Sequence, residues 1–428
     1  MDAEVVVLGA GFAGITAARD LRDAGVRVSV LEARDRIGGR TWYREMPGAG
    51  ISAEYGGMFF SRSTQPRLAA EIERYGIAVT SSTEPAMGAW VRGSERREGT
   101  DAFEEVRVKL ASSGLTDALR ETAKAVANGD RLSLAEHDIS SAAWIDALDC
   151  DEEAADYLRA FIAAMGGTTI EKSSVLPLLW DMIELNYSPI DAYVEVGELF
   201  THGTKSLIDA MALDVDVRFG AVVTHVRQDE QGVAITLADG ETIESDAVIV
   251  ALPLNLWGDV KFNPPLAPPK ERAASERQPG QVSKVLAAVR GAPESFVGMG
   301  WDTPINAAFV TIPTQDGQLF MGFSVQPRVD LADHDAVAKA VKAHLPQATV
   351  VSTDGHDWVS DPYSKGTWLA TPPGWFSDGT FDALMTPEGR LAFAGSDITP
   401  EGTGWIEGAV ASGSAASAHI VELLRTSR

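Results

Sequence analysis

Residues 5–33 read VVVLGAGFAGITAARDLRDAGVRVSVLEA, and this stretch decides the fold. Val5 to Leu8 form a short continuous apolar run, the pattern of a parallel strand buried on both faces. A glycine turn follows, then a helix from about Ala13 to Ala24, closed by Gly25 as the residue that takes the left-handed conformation at a helix end. A second strand from Arg27 to Leu31 delivers Glu32 at its end. The stretch is therefore one βαβ unit, and its glycines Gly9, Gly11 and Gly14 have GxGxxG spacing. That spacing serves a tight turn, close approach of backbone to a pyrophosphate, and close helix–strand packing. The helix N-terminus supplies free N–H groups and a positive dipole end for the phosphates. Glu32 stands where a carboxylate can accept from a ribose 2′-hydroxyl, which disfavours a 2′-phosphate and hence NADP. The turn alone is a weak signal. Its place between strand and helix, with the carboxylate following, makes a dinucleotide site the expectation over a bare α/β turn. The contacts expected here are Gly9, Gly11, Phe12, Ala13, Gly14, Glu32, Ala33 and Arg34.

The remaining chain bounds the answer. A length of 428 residues exceeds one core and calls for two domains. With 36 Lys+Arg against 61 Asp+Glu, the formal charge of −25 opposes nucleic-acid binding and a basic membrane-binding patch. One cysteine, Cys150, excludes an intrachain disulfide and a CxxC redox pair. The seven histidines lack metal-ligand spacing, and no metal site is expected; His356 beside Asp357 reads as structural. The first strand begins by Glu4, and no apolar run approaches the length of a membrane span, so a cytoplasmic protein is the expectation.

Residues 66–200 read mainly as helices with irregular breaks. Strand signals return at 217–226 and 233–237, with Asp239-Gly240 as a hairpin turn. AVIVALP at 247–253 is another buried strand, and FNPPLAPPKE a proline-rich connection. Residues 281–325 alternate as an antiparallel sheet does. A last strand at 391–395 and a last helix at 405–425 complete the chain. The pieces predict an α/β fold. A Rossmann-like domain is built from residues 1–79, 200–275 and 376–428. An α+β substrate domain is built from 80–199, mostly helical, and 276–375, a mixed or antiparallel sheet with flanking helices.

RIGGRT follows Glu32 directly, and EYGGMFF stands a few residues on. Glu32, Arg36, Gly38, Gly39 and Arg40 match an ExxxRxGGR-type motif, and here the chain resembles the flavin-containing amine oxidases, the monoamine oxidase family. HGTKSLIDAM (202–211), HDWVSDPYSKGTW (356–368) and FAGSDITPEGTGWIEGAV (393–410) match further family blocks in the same order, so the resemblance covers nearly the whole chain. GQVSKVLAAVRGA (280–292) and PRLAAEIERYGI (66–77) are similar to the bacterial 6-hydroxy-L-nicotine oxidase branch.

The resemblance implies a GR2-type FAD-binding domain, an FAD cofactor and a set of site residues. Gly39, Arg40, Gly56, Gly57, Met58, Val223, Trp358, Gly395, Ser396 and Asp397 would join the cofactor contacts. The backbone of Trp405 and Ile406, opening the last helix, would bond the pyrimidine edge of the flavin. Trp368 and Trp405 would form an aromatic cage, with Lys284 holding a water near the flavin. In strand pattern alone, Lys284 reads equally well as an outward-facing lysine. The implied reaction is hydride loss from the carbon beside a neutral amine nitrogen, with dioxygen as acceptor, peroxide as product and the imine passing to water. A homodimer is compatible with the resemblance.

Two departures matter. Relatives with covalent flavin carry a cysteine just before the first cage residue; Thr367 stands there, which implies noncovalent FAD. The ring-addressing asparagine and tyrosine of the hydroxynicotine branch fall on Ala164 and near Ala308 or Phe309. The expected pocket (Phe59, Ala164, Leu176, Phe309 and Phe323, with Asn186 and Tyr187 as polar contacts) therefore suits a mostly apolar amine. An L-amino acid oxidase, with Arg62 as carboxylate partner, and a flavin-binding protein without turnover are the alternatives.

Overall fold

The computed structural model describes residues 3–81, 85–127, 135–184, 190 and 197–426. Val5–Leu8 is the central strand of a five-stranded parallel sheet. Val28–Leu31 and then Val217–Arg218 lie to one side, Ala247–Val250 and then Leu391–Phe393 to the other. The continuous apolar run exists because this sheet is covered on both faces. Val5 and Val7 pack with Ile15, Leu207 and Ile420 of the helical layer. Val6 and Leu8 pack with Val226, Ile235 and Ile243. Those three belong to a four-stranded sheet of Thr242–Ser245, Val233–Leu237, Val223–Gln228 and Lys261–Asn263. The first helix, Phe12–Asp23, lies against the last, Ile406–Thr426. They meet at Gly413, where a Cβ would come within 2.4 Å of the Ala13 carbonyl oxygen.

The second sheet has seven strands, in the order Thr349–Asp354, Ser283–Arg290, Gly317–Ser324, Ala307–Thr314, Phe296–Trp301, Met87–Arg92 and Glu95–Gly99. All pairs are antiparallel except Phe296–Trp301 with Met87–Arg92. Strand alternation sorts its side chains into two covered faces. Val285, Ala287 and Val289 join Val337 and Val341 of helix His334–His344. Leu286 and Ala288 join Leu158, Phe161 and Ile162 of helix Glu152–Gly166. Lys284 has the parity of the second set, so it has no solvent face to occupy.

The sequence reading departs from the structure in three places. The span 66–200 is not only helical: Met87–Arg92 and Glu95–Gly99 form a hairpin on the edge of the large sheet, turned at Gly93 with φ +58°. Its second strand, ERREG, is charged as edge strands often are, and so has no apolar alternation to announce it. The span 217–226 is two strands in two sheets, broken at Gly220 with φ +69°. The proline-rich connection contains a strand, Lys261–Asn263, and a helix, Pro268–Glu276, with proline in its first turn, where a missing N–H costs nothing. Among the described residues, no helix is long and apolar enough to cross a membrane.

Candidate active site

A cavity begins at the glycine turn and extends to the large sheet, and residues of both layers line it. At its first end, the helix Phe12–Asp23 starts without a side-chain cap and without an acidic residue in its first turn. The N–H groups of that turn have no intrahelical acceptor. Gly9 has φ +103°, and a Cβ there would sit 2.8 Å from the Ala251 oxygen. A Cβ on Gly14 would sit 1.9 Å from the Gly9 oxygen, so Gly14 is held to glycine by packing and does not line the cavity. Gly11 differs from both. Its backbone is ordinary extended, φ −75° and ψ 178°, and a Cβ would meet nothing nearer than Gly39 Cα at 4.0 Å. Neither backbone nor packing demands glycine at 11; the side that stays bare is the cavity's.

Glu32 is buried at the end of its strand. It accepts from the Ala10 N–H at 2.7 Å and the Arg34 N–H at 2.9 Å, which pins its carboxylate at the cavity wall. Arg36 organises the following loop by donating to the Ile37, Thr41 and Gly39 carbonyl oxygens at 3.1, 3.0 and 2.9 Å. Its guanidinium lies 4.8 Å from the Trp42 ring centre and 5.8 Å from that of Trp358. Burial, aided by the neighbouring Arg34 charge, pushes its pKa down to about 10. Arg40 reaches two segments far along the chain, donating to the Thr367 carbonyl at 2.6 Å and lying 2.8 Å from Asp397. Trp358 lines the cavity, and its indole N–H donates to the Tyr55 oxygen at 2.9 Å. His356 pairs with Asp361 at 2.8 Å and stacks edge-on against Trp358, a structural place.

At the other end stand Lys284, Trp368 and Trp405. Lys284 is 5 % exposed and donates to the Gly56 carbonyl at 2.8 Å, with Met58 Sδ at 3.0 Å. Burial pushes its ammonium down to about 8, opposed by the field of Glu54. Glu54 is itself pushed up by burial, against hydrogen bonds from Thr204. The Trp368 indole N–H donates to the Met165 oxygen at 2.9 Å. It is seated by Gly167, φ +69°, where a Cβ would fall 2.6 Å from the Trp368 ring nitrogen. Trp405 precedes the last helix, whose first residue, Ile406, also lines the cavity.

A family model described as flavin containing amine oxidoreductase matches residues 12–421. The chain belongs to that family. It is 33% identical to the (S)-6-hydroxynicotine oxidase of Paenarthrobacter nicotinovorans, over 95% of this chain and 96% of that one. It is 31% identical to a pseudooxynicotine dehydrogenase of a Pseudomonas species, over 96% of this chain and 85% of that one. Among solved structures, putrescine oxidase bound to putrescine is similar with a TM-score of 0.85 and 25% identity, covering 98% of this chain and 99% of that one. As a member of the flavin amine oxidoreductases, the protein is an oxidoreductase of amines with a flavin cofactor. The uncapped helix, the bare Gly11 and the pinned Glu32 carboxylate fit a dinucleotide flavin at the first end of the cavity.

Most residues singled out in the sequence do come together. Ala33, Arg34, Gly39, Gly56, Gly57, Met58, Gly395 and Ser396 line the same cavity, as do Phe59, Ala164 and Phe323 beyond them. Several do not. Asp397 turns its carboxylate to Arg40 and to the Leu254 N–H, at 3.3 Å from the latter. Val223 lies off the wall, half-buried against the core between the five- and four-stranded sheets. Leu176 is fully buried in the core; its helix presents Pro177 and Leu178 instead. Phe309 stands one layer back, its ring 5.3 Å from Phe59 and 5.8 Å from Phe323. Asn186 and Tyr187 lie outside the described residues. Arg62 is exposed and clamped by Glu198, its N–H and Nε donating at 2.6 and 2.7 Å, away from the cavity. The sequence reading missed Ser173, Ser174 and Thr371 on the wall, short polar residues that carry no periodic signal.

Proposed function

We propose that the protein oxidises a neutral amine that needs no carboxylate, using FAD held without a covalent bond. The carrying observation is one cavity lined by a buried lysine and two tryptophans, in which no described arginine is left unpaired. Among the described lining residues the cationic side chains are Arg34, Arg40 and Lys284. Arg34 is tied to Asp361 at 2.7 Å and Arg40 to Asp397. Lys284 is directed at Gly56 and Met58. A buried carboxylate without a cation binds poorly, so an α-amino acid lacks its anchor.

The pyrophosphate would lie on the first turn of helix Phe12–Asp23, with the ribose hydroxyls at Glu32. When bound there, FAD would supply a two-electron acceptor for the hydride of the carbon beside the amine nitrogen, with dioxygen as the final oxidant. The flat rings of Trp368 and Trp405 orient the amine, and with Phe59 and Phe323 they exclude water from the reacting end. Their faces also attract an ammonium, but only the amine with a free lone pair reacts. Lys284 can hold a water and, with its pKa brought down to about 8 by burial, move a proton at Nζ. Thr367 offers a hydroxyl, which accepts from the Val282 N–H at 3.4 Å, where covalent attachment would need a thiol.

Peroxide formation from matched pairs tests the reading. Phenethylamine should give peroxide and phenylalanine should not; peroxide from the amino acid alone would overturn it. Acid precipitation should release the yellow cofactor into the supernatant. Flavin left on the denatured chain would contradict noncovalent binding. A homodimer is also compatible with this reading, and sedimentation of the holoprotein tests it.

A further inference from the structure

Lys284 is held by a short segment that runs on from the strand Ile51–Glu54. Its Nζ donates to the Gly56 carbonyl and lies against Met58 Sδ, both uncharged. Two residues before Gly56 comes Glu54, a buried carboxylate that the reaction described above does not use. Its Oε1 accepts from the Thr204 N–H at 2.5 Å and the Thr204 hydroxyl at 2.6 Å, in the first turn of helix Gly203–Met211. The helix N-terminus and these two donors favour the ionised carboxylate, while burial pushes its proton affinity up. Among the described residues, Glu54 is the one charged group whose field acts on Lys284. The other charges nearby are taken by partners. Arg40 lies against Asp397, and Asp354 accepts from the Tyr55 hydroxyl at 2.6 Å and lies 3.1 Å from Arg44. Tyr43, directly opposite Glu54 in its ladder, keeps its proton, pushed up by burial and by the Glu54 charge.

We propose that Glu54 is a positioning residue for the oxidase reaction: the countercharge that keeps the buried Lys284 amine an ammonium. This rests on the amine-oxidase reading above and on a charged lysine serving the oxygen-consuming step. A buried ammonium bonded only to a carbonyl and a thioether is costly, and an opposite charge in the same buried region lowers that cost. Dioxygen gains negative charge as it takes up electrons, so an ammonium on the cavity wall favours that step and a neutral amine does not. Glu54 does not itself line the cavity, so it acts through Lys284. Removing its negative field lets the Lys284 proton go at a lower pH.

Glu54→Gln keeps an oxygen for Thr204 and removes the charge. The test is reoxidation by dioxygen of holoprotein reduced beforehand with one equivalent of dithionite, followed at the flavin's visible absorbance against pH, so that no amine is needed. In wild type the rate should fall as pH rises through about 8. In Glu54→Gln the fall should come roughly one pH unit lower, or more. Urea melts of the holoprotein read the same pair without turnover. The double variant Glu54→Gln, Lys284→Met should lose less stability than the two single variants combined, because each single change strands a buried charge. Superimposable pH profiles for wild type and Glu54→Gln, or additive losses in the melts, overturn the inference and leave the amine-oxidase reading standing. Reoxidation that Lys284→Met leaves unchanged removes the lysine's role, and the inference with it. Absence of bleaching by any amine would instead strike the reading beneath both. If Glu54→Gln does not retain flavin, Thr204→Val takes its place. With the hydroxyl donor gone the carboxylate is less ionised, so the profile should move the same way by a smaller step; an unmoved profile overturns the inference.

Discussion

Gly11 and Gly14 are both glycines of one motif, yet the structure requires them for different reasons. A Cβ on Gly14 collides with the Gly9 carbonyl, whereas one on Gly11 collides with no protein atom. Gly14→Ala should therefore destabilise the protein with or without cofactor, read as a lowered melting temperature of the apoprotein. Gly11→Ala should leave apoprotein melting within about a degree or two, because surface-type changes rarely exceed ~0.5 kcal/mol. It should weaken FAD tenfold or more, roughly 1.4 kcal/mol, by filling the pyrophosphate's space. An unstable Gly11→Ala apoprotein would mean that packing, not a ligand, keeps that position bare. Lys284 yields a second residue-scale expectation. Its ammonium, charged below about pH 8, loses its proton above that value. If the charged form assists the oxygen-consuming half-reaction, that rate should fall as pH rises through about 8. In Lys284→Met it should be slow and flat with pH, while anaerobic reduction stays largely intact. Unchanged oxygen kinetics would return Lys284 to a packing role. GxGxxG and the lysine were readable as residues, but the pattern gave Lys284 even odds of facing out. Only the second covered face of its sheet decides that it cannot.

At the scale of elements, the long apolar runs were legible because burial on both faces leaves a continuous signature. Val5–Leu8 and Ala247–Val250 are such strands. The hairpin Met87–Gly99 was not, since a charged edge strand resembles a loop in composition. Nor were Ser173, Ser174 and Thr371, whose place on the cavity wall depends on contacts between segments some 200 residues apart in sequence. One element also carries a pH dependence. His344, at the end of helix His334–His344, is fully buried against the large sheet, with Nε2 on the Ile305 carbonyl at 3.1 Å. Burial pushes its pKa from an ordinary 6.5 down to about 4. The unfolded chain thus binds the proton first as pH falls. The folded state keeps its full advantage above about 6.5 and loses it progressively down to about 4, by up to ~3 kcal/mol. His344→Gln should be less stable at pH 7 but should show a shallower loss of stability between pH 6.5 and 4 in urea melts. An unaltered slope would remove His344 from the account of acid sensitivity.

Across the whole molecule, segments far apart in the chain meet around one cavity, and the contacts that join them are specific. Arg40 donates to Thr367, Arg34 to Asp361, and Trp358 to Tyr55, so the loop of residues 356–368 is stitched to the loop that follows Glu32. The order of short blocks along the chain was enough to read the family; of these blocks 280–292, 356–368 and 393–410 line the shared space, while 202–211 does not. It was not enough to read the substrate end, where Leu176 and Phe309 proved to be a layer behind the wall and Arg62 proved to be on the surface. The central claim is that this space oxidises a neutral amine. Anaerobic mixing of the holoprotein with an excess of phenethylamine or tyramine, followed through the flavin's visible absorbance across a range of pH, tests it most directly. The account predicts bleaching whose rate rises with pH as the amine loses its proton, reduced roughly tenfold or more in Trp368→Ala and Trp405→Ala. No bleaching by any amine, or bleaching by amino acids but not by the amines they would yield on decarboxylation, would contradict it.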